Sequence, residues 1–293
     1  MPRSARLLRQ DMKKNTRSFS LANGVAIPAL GFGTWQIQDG PDAVRAVATA
    51  LRLGYRHVDT AAIYGNEASV GAAVRESGRP RTEVFVTSKL WNTARTYDLA
   101  MQAFEESMTK LGLDVLDLYL LHWPAVEKID PDWIRTNREK WRALERLHRD
   151  GRIRAIGVSN FRARHLQPLL DDADVAPMVN QLEIHPGFAQ EETVAFCKAH
   201  DILPQAWSPL ACGKALAIPE VRAIAARHGR TPAQVCLRWC LQNGVLPITK
   251  TTNEARMREN ADVFGFDLTP DDLRVIASLP PCGACLDPDT RNF

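Results

Sequence analysis

The sequence predicts an α/β protein folded as a (β/α)8 barrel, and three observations lead there. Eight short apolar runs, at residues 29–33, 55–59, 84–89, 116–122, 153–159, 178–181, 203–207 and 245–249, alternate with longer stretches of helical periodicity. Most of these runs are too apolar to be half-exposed, which suits parallel strands covered on both faces. Gly33, Asp59, Lys89, His122, Ser159, Gln181, Trp207 and Lys250 lie at or just after the eight run ends, on average about 31 residues apart. In a barrel such ends converge on one face, where the chemistry of the fold resides. A doubly wound sheet is the main alternative. The sequence has no G-x-G-x-x-G, since Gly31-Phe-Gly33 runs into Thr-Trp-Gln, so a bound nucleotide would have to be held another way.

Ahead of the barrel, residues 18–22 and 25–27 flank Asn23-Gly24, the pair that best tolerates the positive φ of a type I′ turn, and so predict a β-hairpin. Helical stripes follow at Val44, Val47 and Leu51, then at Leu99, Ala103, Met108 and Leu111. A third runs through Trp141, Leu144 and Leu147, with Arg142, Glu145 and Arg146 on the solvent side. The domain reading is a basic flexible arm over 1–17 and one barrel domain over 18–293 that includes the C-terminal loop.

With 293 residues, 45% hydrophobic and 24% charged, the composition excludes a disordered or fibrous chain. No apolar run approaches the roughly 18 residues of a membrane span. Residues 1–17 carry six basic side chains (Arg3, Arg6, Arg9, Lys13, Lys14, Arg17) against Asp11, which leaves 31 basic and 33 acidic residues beyond them. A nearly neutral body gives no case for a nucleic-acid partner, and none for a membrane partner. The arm reads as solvated, or as sequence upstream of a start at Met12. With no apolar stretch of about 7–15 residues behind it, a secretory signal is not expected and the location reads as cytoplasmic. Cys236 and Cys240 sit four apart in a helical pattern and read as core. Cys282-Gly-Ala-Cys285 reads as an ordinary pair of thiols in a tail, with a metal or redox role as the alternative.

Asp59, Tyr64, Lys89 and His122 are read as following four different strands. Singly, each has an ordinary explanation as a cap, a packing residue, a solvated cation or a core histidine. Together they make a proton-transfer device. A phenol titrates near 10, a neighbouring ammonium lowers that value, and a carboxylate keeps the ammonium charged and in place. Asp59 beside Lys89 beside Tyr64 would thus tune a phenol toward working pH, while a neutral His122 could donate to a carbonyl oxygen. No compact His/Asp/Glu set shares one face, so no metal is expected.

Eight collinear motifs then carry a resemblance. Gly31-Phe-Gly-Thr-Trp35, Asp59-Thr-Ala-Ala-Ile-Tyr64-Gly-Asn-Glu67, Ser88-Lys89-Leu-Trp91, Leu118-Tyr-Leu-Leu-His122-Trp-Pro124 and Ile156-Gly-Val-Ser-Asn-Phe161 resemble the aldo-keto reductases. So do Asn180-Gln-Leu-Glu-Ile-His-Pro186, Trp207-Ser-Pro-Leu210 and Ile248-Thr-Lys-Thr-Thr252 with Arg256 and Glu259-Asn260. The match spans about residues 18–280 and looks most like the bacterial 2,5-diketogluconate reductase type, which shares Trp207-Ser-Pro-Leu-Ala211. It implies a barrel closed at the bottom by the N-terminal hairpin, and an NADPH-dependent carbonyl reductase with the tetrad Asp59, Tyr64, Lys89 and His122.

The resemblance also implies the cofactor contacts. Ser159, Asn160 and Gln181 match the residues that hold the nicotinamide carboxamide, and Trp207 stands where many relatives stack a Tyr on the ring. Gly33, Thr34, Asp59, Ser208 and Leu210 complete that side. Lys250, Thr251 and Arg256 match the clamp on the adenosine 2′-phosphate, with Glu259 and Asn260 near the adenine, so NADPH/NADP+ is expected over NAD. Trp35, Trp91 and Trp123 are expected to wall an open pocket for small dicarbonyls, sugar-derived ketones or aromatic aldehydes, because the tail after Leu279 is only 14 residues. A monomer is expected. The alternative function is an NADP-binding regulatory or redox-sensing barrel with little turnover.

Overall fold

The computed structural model describes residues 18–291; the basic arm over 1–17 lies outside the described residues. Strands β1 (Ser18–Ser20) and β2 (Ala26–Pro28) pair antiparallel, with Phe19 opposite Ile27. Their connection departs from the expected type I′ turn, because Gly24 has a positive φ of 83° and Asn23 does not. The Gly24 amide donates to the Leu21 carbonyl at 2.8 Å, and the Leu21 amide donates to the Val25 carbonyl at 2.9 Å, giving a three-residue loop with one left-handed glycine. Asn23 acts at longer range. Its Nδ2 donates to the Arg154 carbonyl at 2.9 Å and docks the hairpin at the N-terminal end of the barrel.

The eight following strands close a parallel barrel. They are β3 (Gly31–Gly33), β4 (His57–Asp59), β5 (Phe85–Leu90), β6 (Leu116–Leu121), β7 (Ile153–Ser159), β8 (Val179–Glu183), β9 (Leu203–Trp207) and β10 (Leu246–Thr249), with β10 returning to pair β3. Nearly every strand residue is buried, as the apolar runs required. β3 and β4 are shorter than read, and β5 and β8 run one and two residues further, so Gln181 lies within β8.

Around the barrel lie α1 (Pro41–Arg52), α2 (Glu67–Glu76), α3 (Tyr97–Leu111), α4 (Trp133–Arg149), α5 (Ala163–Leu170), α6 (Glu191–Ala199), α7 (Pro219–His228), α8 (Pro232–Gln242), α9 (Glu254–Ala261) and α10 (Pro270–Ala277). None of the described helices is long and apolar enough to cross a membrane. Two details of the helical stripes differ from expectation. In α3 the Thr96 cap fixes the phase so that Ala100, Phe104, Met108 and Leu111 face inward, and Leu99 is 46% exposed. In α4 Glu145 is buried, because its carboxylate accepts the Val175 amide at 2.8 Å and anchors the loop into β8.

Helices α2 and α3 meet through a glycine. A Cβ on Gly71 would lie 1.8 Å from the Leu111 carbonyl oxygen, and the Arg75 guanidinium donates to that same carbonyl. Nothing there is the flexible end of a side chain, so a methyl must push the helices apart. Gly71→Ala is expected to cost about 2–4 kcal/mol in urea unfolding; a loss below the error of the measurement would show that the helices slide freely.

Candidate active site

Lys89 is the centre of the site. It lies in β5, fully buried, and its Nζ donates to Asp59 Oδ1 at 2.5 Å, to the Thr60 carbonyl at 2.9 Å and to Tyr64 Oη at 3.4 Å. The ammonium also stands 5.0 Å from the centre of the Tyr64 ring. Asp59 ends β4 and Tyr64 ends the short 3-10 turn Ala62–Tyr64 after the same strand, so the four residues come from three strands rather than four. His122, just after β6, packs edge-to-face on Tyr64 with ring centres 5.6 Å apart.

The loop that carries Tyr64 is pinned by Asn66, a residue for which the motifs suggest no separate role. Its Nδ2 donates to the carbonyls of Thr34 and Ile37, each at 2.9 Å, and its Oδ1 accepts Thr60 Oγ1 at 2.8 Å. Thr34 itself bonds the Asp59 carbonyl from both its amide and its hydroxyl. From across the barrel, Gln181 Nε2 donates to Asp59 Oδ2 at 2.8 Å and to Gln205 Oε1 at 3.1 Å. Both Asp59 oxygens are therefore engaged.

Protonation follows from these contacts. Burial alone would lower the Lys89 pKa, but Asp59 and Tyr64 outweigh it and raise the value, so the ammonium stays charged. Burial raises the Tyr64 phenol, and Lys89 offsets only part of that, so the expected net tuning downward is not what this arrangement gives. The phenol is held in its acid form. Desolvation, and then the Lys89 charge, hold His122 well below the ordinary histidine range, and its Nδ1 is buried without a hydrogen-bond partner. That is a neutral imidazole beside a neutral phenol and a fixed ammonium.

Asn160, after β7, links this group to the next strands. It holds a left-handed backbone with φ of 64°, its Nδ2 donates to the His122 carbonyl at 3.0 Å and to Ser159 Oγ at 3.1 Å, and its Oδ1 accepts the Trp207 indole N–H at 2.9 Å. Ser159 Oγ in turn donates to the Gln181 carbonyl at 2.8 Å.

The chain matches the Aldo/keto reductase family over residues 29–280. It belongs to that family. Glyoxal reductase of Bacillus subtilis is 47% identical over 259 residues, covering 88% of this chain and 91% of the relative. A 9,11-endoperoxide prostaglandin H2 reductase of Trypanosoma cruzi is 45% identical over 92% of this chain and 93% of its own. A mutant of Gox0644 solved in complex with NADPH superposes with a TM-score of 0.85 at 41% identity, covering 94% of this chain and 98% of that one. The protein is thus an oxidoreductase.

In this reductase the remaining expected site residues fall into three groups. Gly33 and Thr34 line the β3 end, and a Cβ on Gly33 would come within 3.0 Å of the Ile248 side chain, so β3 and β10 need the glycine to close together. Trp207 is half-buried, and Ser208 and Leu210 follow it in a loop where Ser208, Ala211, Cys212 and Gly213 all have positive φ. Lys250 and Arg256 are exposed at the start of α9, and among the described residues neither forms an ion pair. Two uncovered cations with Thr251 beside them fit a phosphate dianion. Glu259 accepts Thr231 Oγ1 at 2.8 Å, and Asn260 is buried beside it.

The tryptophans are less alike than expected. Trp35 is 48% exposed at the rim, and Trp91 packs edge-to-face on His122 at 5.2 Å. Trp123 is nearly buried, with the Arg291 guanidinium 5.5 Å from its ring, so the tail covers it. Although short, that tail crosses three strand ends. The amides of Ala284, Cys285 and Leu286 all donate to the Glu183 carboxylate at 2.9–3.1 Å, and Asp289 meets Arg164 and His165. Among the described residues, Glu183, His185 and Cys285 form the one set with metal-ligand chemistry, but Glu183 is occupied in holding the tail. Cys282, Cys285 and both helical cysteines are free thiols.

Buried neutral histidines make acid stability a test of the site. Desolvation lowers His57 to about 4, and His122 lies well below the ordinary value. Each binds its proton less readily folded than unfolded, so stability falls as pH drops below about 6.5, by on the order of 1 kcal/mol per pH unit for each. Urea midpoints are expected to decline from pH 7 to pH 5, with His122 still neutral by NMR at about pH 5.5. A His122 titrating near 6.5 would remove the neutral donor from the site.

Proposed function

We propose that this protein reduces small aldehydes and ketones to alcohols with NADPH, Tyr64 acting as the general acid. The observation that carries the reading is the Tyr64 Oη to Lys89 Nζ to Asp59 chain, at 3.4 and 2.5 Å, beside a neutral His122. When bound, NADPH supplies the hydride that a carbonyl carbon accepts. Trp207 would stack on the nicotinamide, Ser159, Asn160 and Gln181 would hold its carboxamide, and Lys250, Thr251 and Arg256 would grip the 2′-phosphate. Glu259 and Asn260 would flank the adenine, with Gly33, Thr34, Ser208 and Leu210 lining the rest.

The chain's own residues do the proton chemistry. A substrate oxygen placed between Tyr64 and His122 is oriented by a donor that carries no charge. As negative charge grows on that oxygen, Tyr64 gives up its proton and Lys89 stabilises the phenolate left behind. Asp59, held by Gln181, keeps Lys89 charged and aimed. Trp35 and Trp91 would wall the substrate, with Trp123 behind them under the tail, leaving room for dicarbonyls, sugar-derived ketones or aromatic aldehydes. The glyoxal reductase of Bacillus subtilis supports a small dicarbonyl. The Trp207-Ser-Pro-Leu-Ala211 run makes 2,5-diketogluconate a second compound to rank. Residues 18–293 would act as one cytoplasmic, monomeric unit.

Tyr64→Phe is expected to bind NADPH as the wild type does and to lose about 10²–10⁴ in kcat; wild-type turnover would reject the assignment. Loss of NADPH absorbance is expected with methylglyoxal, a nitrobenzaldehyde, a pentose or 2,5-diketogluconate, and far less with NADH. Lys250→Ala should weaken NADPH by about 10–100-fold with NADH little changed, and equal losses would reject the phosphate clamp. Tight NADPH binding without turnover on any carbonyl would favour the regulatory barrel instead.

A further inference from the structure

We propose that the cleft between the loops after β5 and β6 and the flank of α4 binds a small monovalent anion of about chloride size. Asn92 and Arg95 line it from the first loop, Ala125 and Asp130 from the second, and Thr136 and Lys140 from the helix. Its volume is about 10 Å³, room for one water-sized particle, and it opens to solvent, so a halide, which is larger than water, would sit with one side exposed. Nothing in the reduction described above uses these residues, and the inference stands apart from it.

Lys140 is the reason for the assignment. It is 2% exposed, yet among the described residues its ammonium has neither a hydrogen bond nor an ion pair. Lysines are almost never buried unless paired, because desolvating a charge costs far more than its methylenes return. Asn92, 9% exposed, has a buried Oδ1 with no partner. The other end of the same amide, Nδ2, is not buried in this way, and as an N–H donor it suits an anion at the cleft.

Charge counting gives the valence. Arg95 and Lys140 bring two positive charges, and among the described residues neither is paired. Asp130 brings one negative charge, but its Oδ2 accepts Thr136 Oγ1 at 2.7 Å and its Oδ1 accepts the Asp132 amide at 3.0 Å. One positive charge is left for a ligand to balance. Burial first, then Arg95, pull the Lys140 pKa down to about 8, with Asp130 opposing. An anion seated between the two cations removes the repulsion and supplies the missing acceptor.

Occupancy would tie together two walls of the substrate mouth. Asn92 directly follows Trp91, which rests on His122. Ala125 lies two residues after Trp123 and is fixed to α4 by Asn137, which accepts its amide at 2.8 Å and donates to its carbonyl at 3.0 Å. An ion held by Arg95 and Lys140 would span the first loop and the same helix.

The test is thermal unfolding of the full-length protein in rising sodium chloride, with ionic strength held constant by sodium gluconate. A saturable rise in Tm of about 2–4 °C is expected. Lys140→Met, an apolar side chain of similar length, should abolish the rise, and Arg95→Gln, at an exposed position, should shift the half-saturating chloride about tenfold higher. Crystals soaked in bromide should show anomalous density within hydrogen-bond reach of Lys140 Nζ. Equal responses to chloride and gluconate, a rise that persists in Lys140→Met, or a cleft holding only water in bromide would each overturn the proposal.

Discussion

A charged lysine at the mouth of a packed barrel is the constraint on which the rest of the site depends. Removing an ammonium from water is expensive, and Asp59 offsets that cost only because its carboxylate is itself fully bonded. Lys89 takes one Asp59 oxygen and Gln181 the other, while Gln205 orients Gln181. The charge pair thereby spans β4, β5, β8 and β9, strands that the barrel brings together and that no local stretch of chain could. Tyr64 needs no partner beyond this group. Its phenol stays neutral through burial and meets a cation whose desolvation is already compensated by other residues.

How much of this was legible in the chain follows from which interactions are periodic and which are particular. Strand and helix positions depend on repeating apolar residues, and the eight runs lie within a residue or two of the strands. The four residues at the mouth were legible because strand ends converge in a barrel. Asn23, Leu99 and Glu145 depart from the pattern for one reason: each is governed by a single distant or capping contact. The Arg154 carbonyl, the Thr96 hydroxyl and the Val175 amide are invisible to periodicity. Asn66 gave no signal of its own, because its partners at Thr34 and Ile37 lie about 30 residues away and required the fold.

The tail shows the same limit from the other side. Its length suggested an uncovered mouth, since 14 residues are few beside a barrel of this size. What makes them sufficient is a run of three consecutive amides converging on one carboxylate, a cradle that depends on backbone shape rather than side-chain identity. Cys285 has a positive φ of 49° in that cradle, so the backbone there is bent to suit Glu183. Trp123 is covered as a result, and the three tryptophans, equivalent by position, occupy three different environments.

Asn160 carries a further consequence, for which substitutions the protein tolerates over evolutionary time. Its left-handed backbone is readily adopted by glycine and by few other residues, yet glycine has no amide to bridge the His122 carbonyl and the Trp207 indole. Aspartate accepts the same backbone and can receive the indole N–H, but it sets an oxygen against the His122 carbonyl where an N–H is required. Alanine and serine strain the backbone and reach neither partner. Position 160 is therefore nearly frozen, although it lies on a loop, where drift is ordinarily easiest.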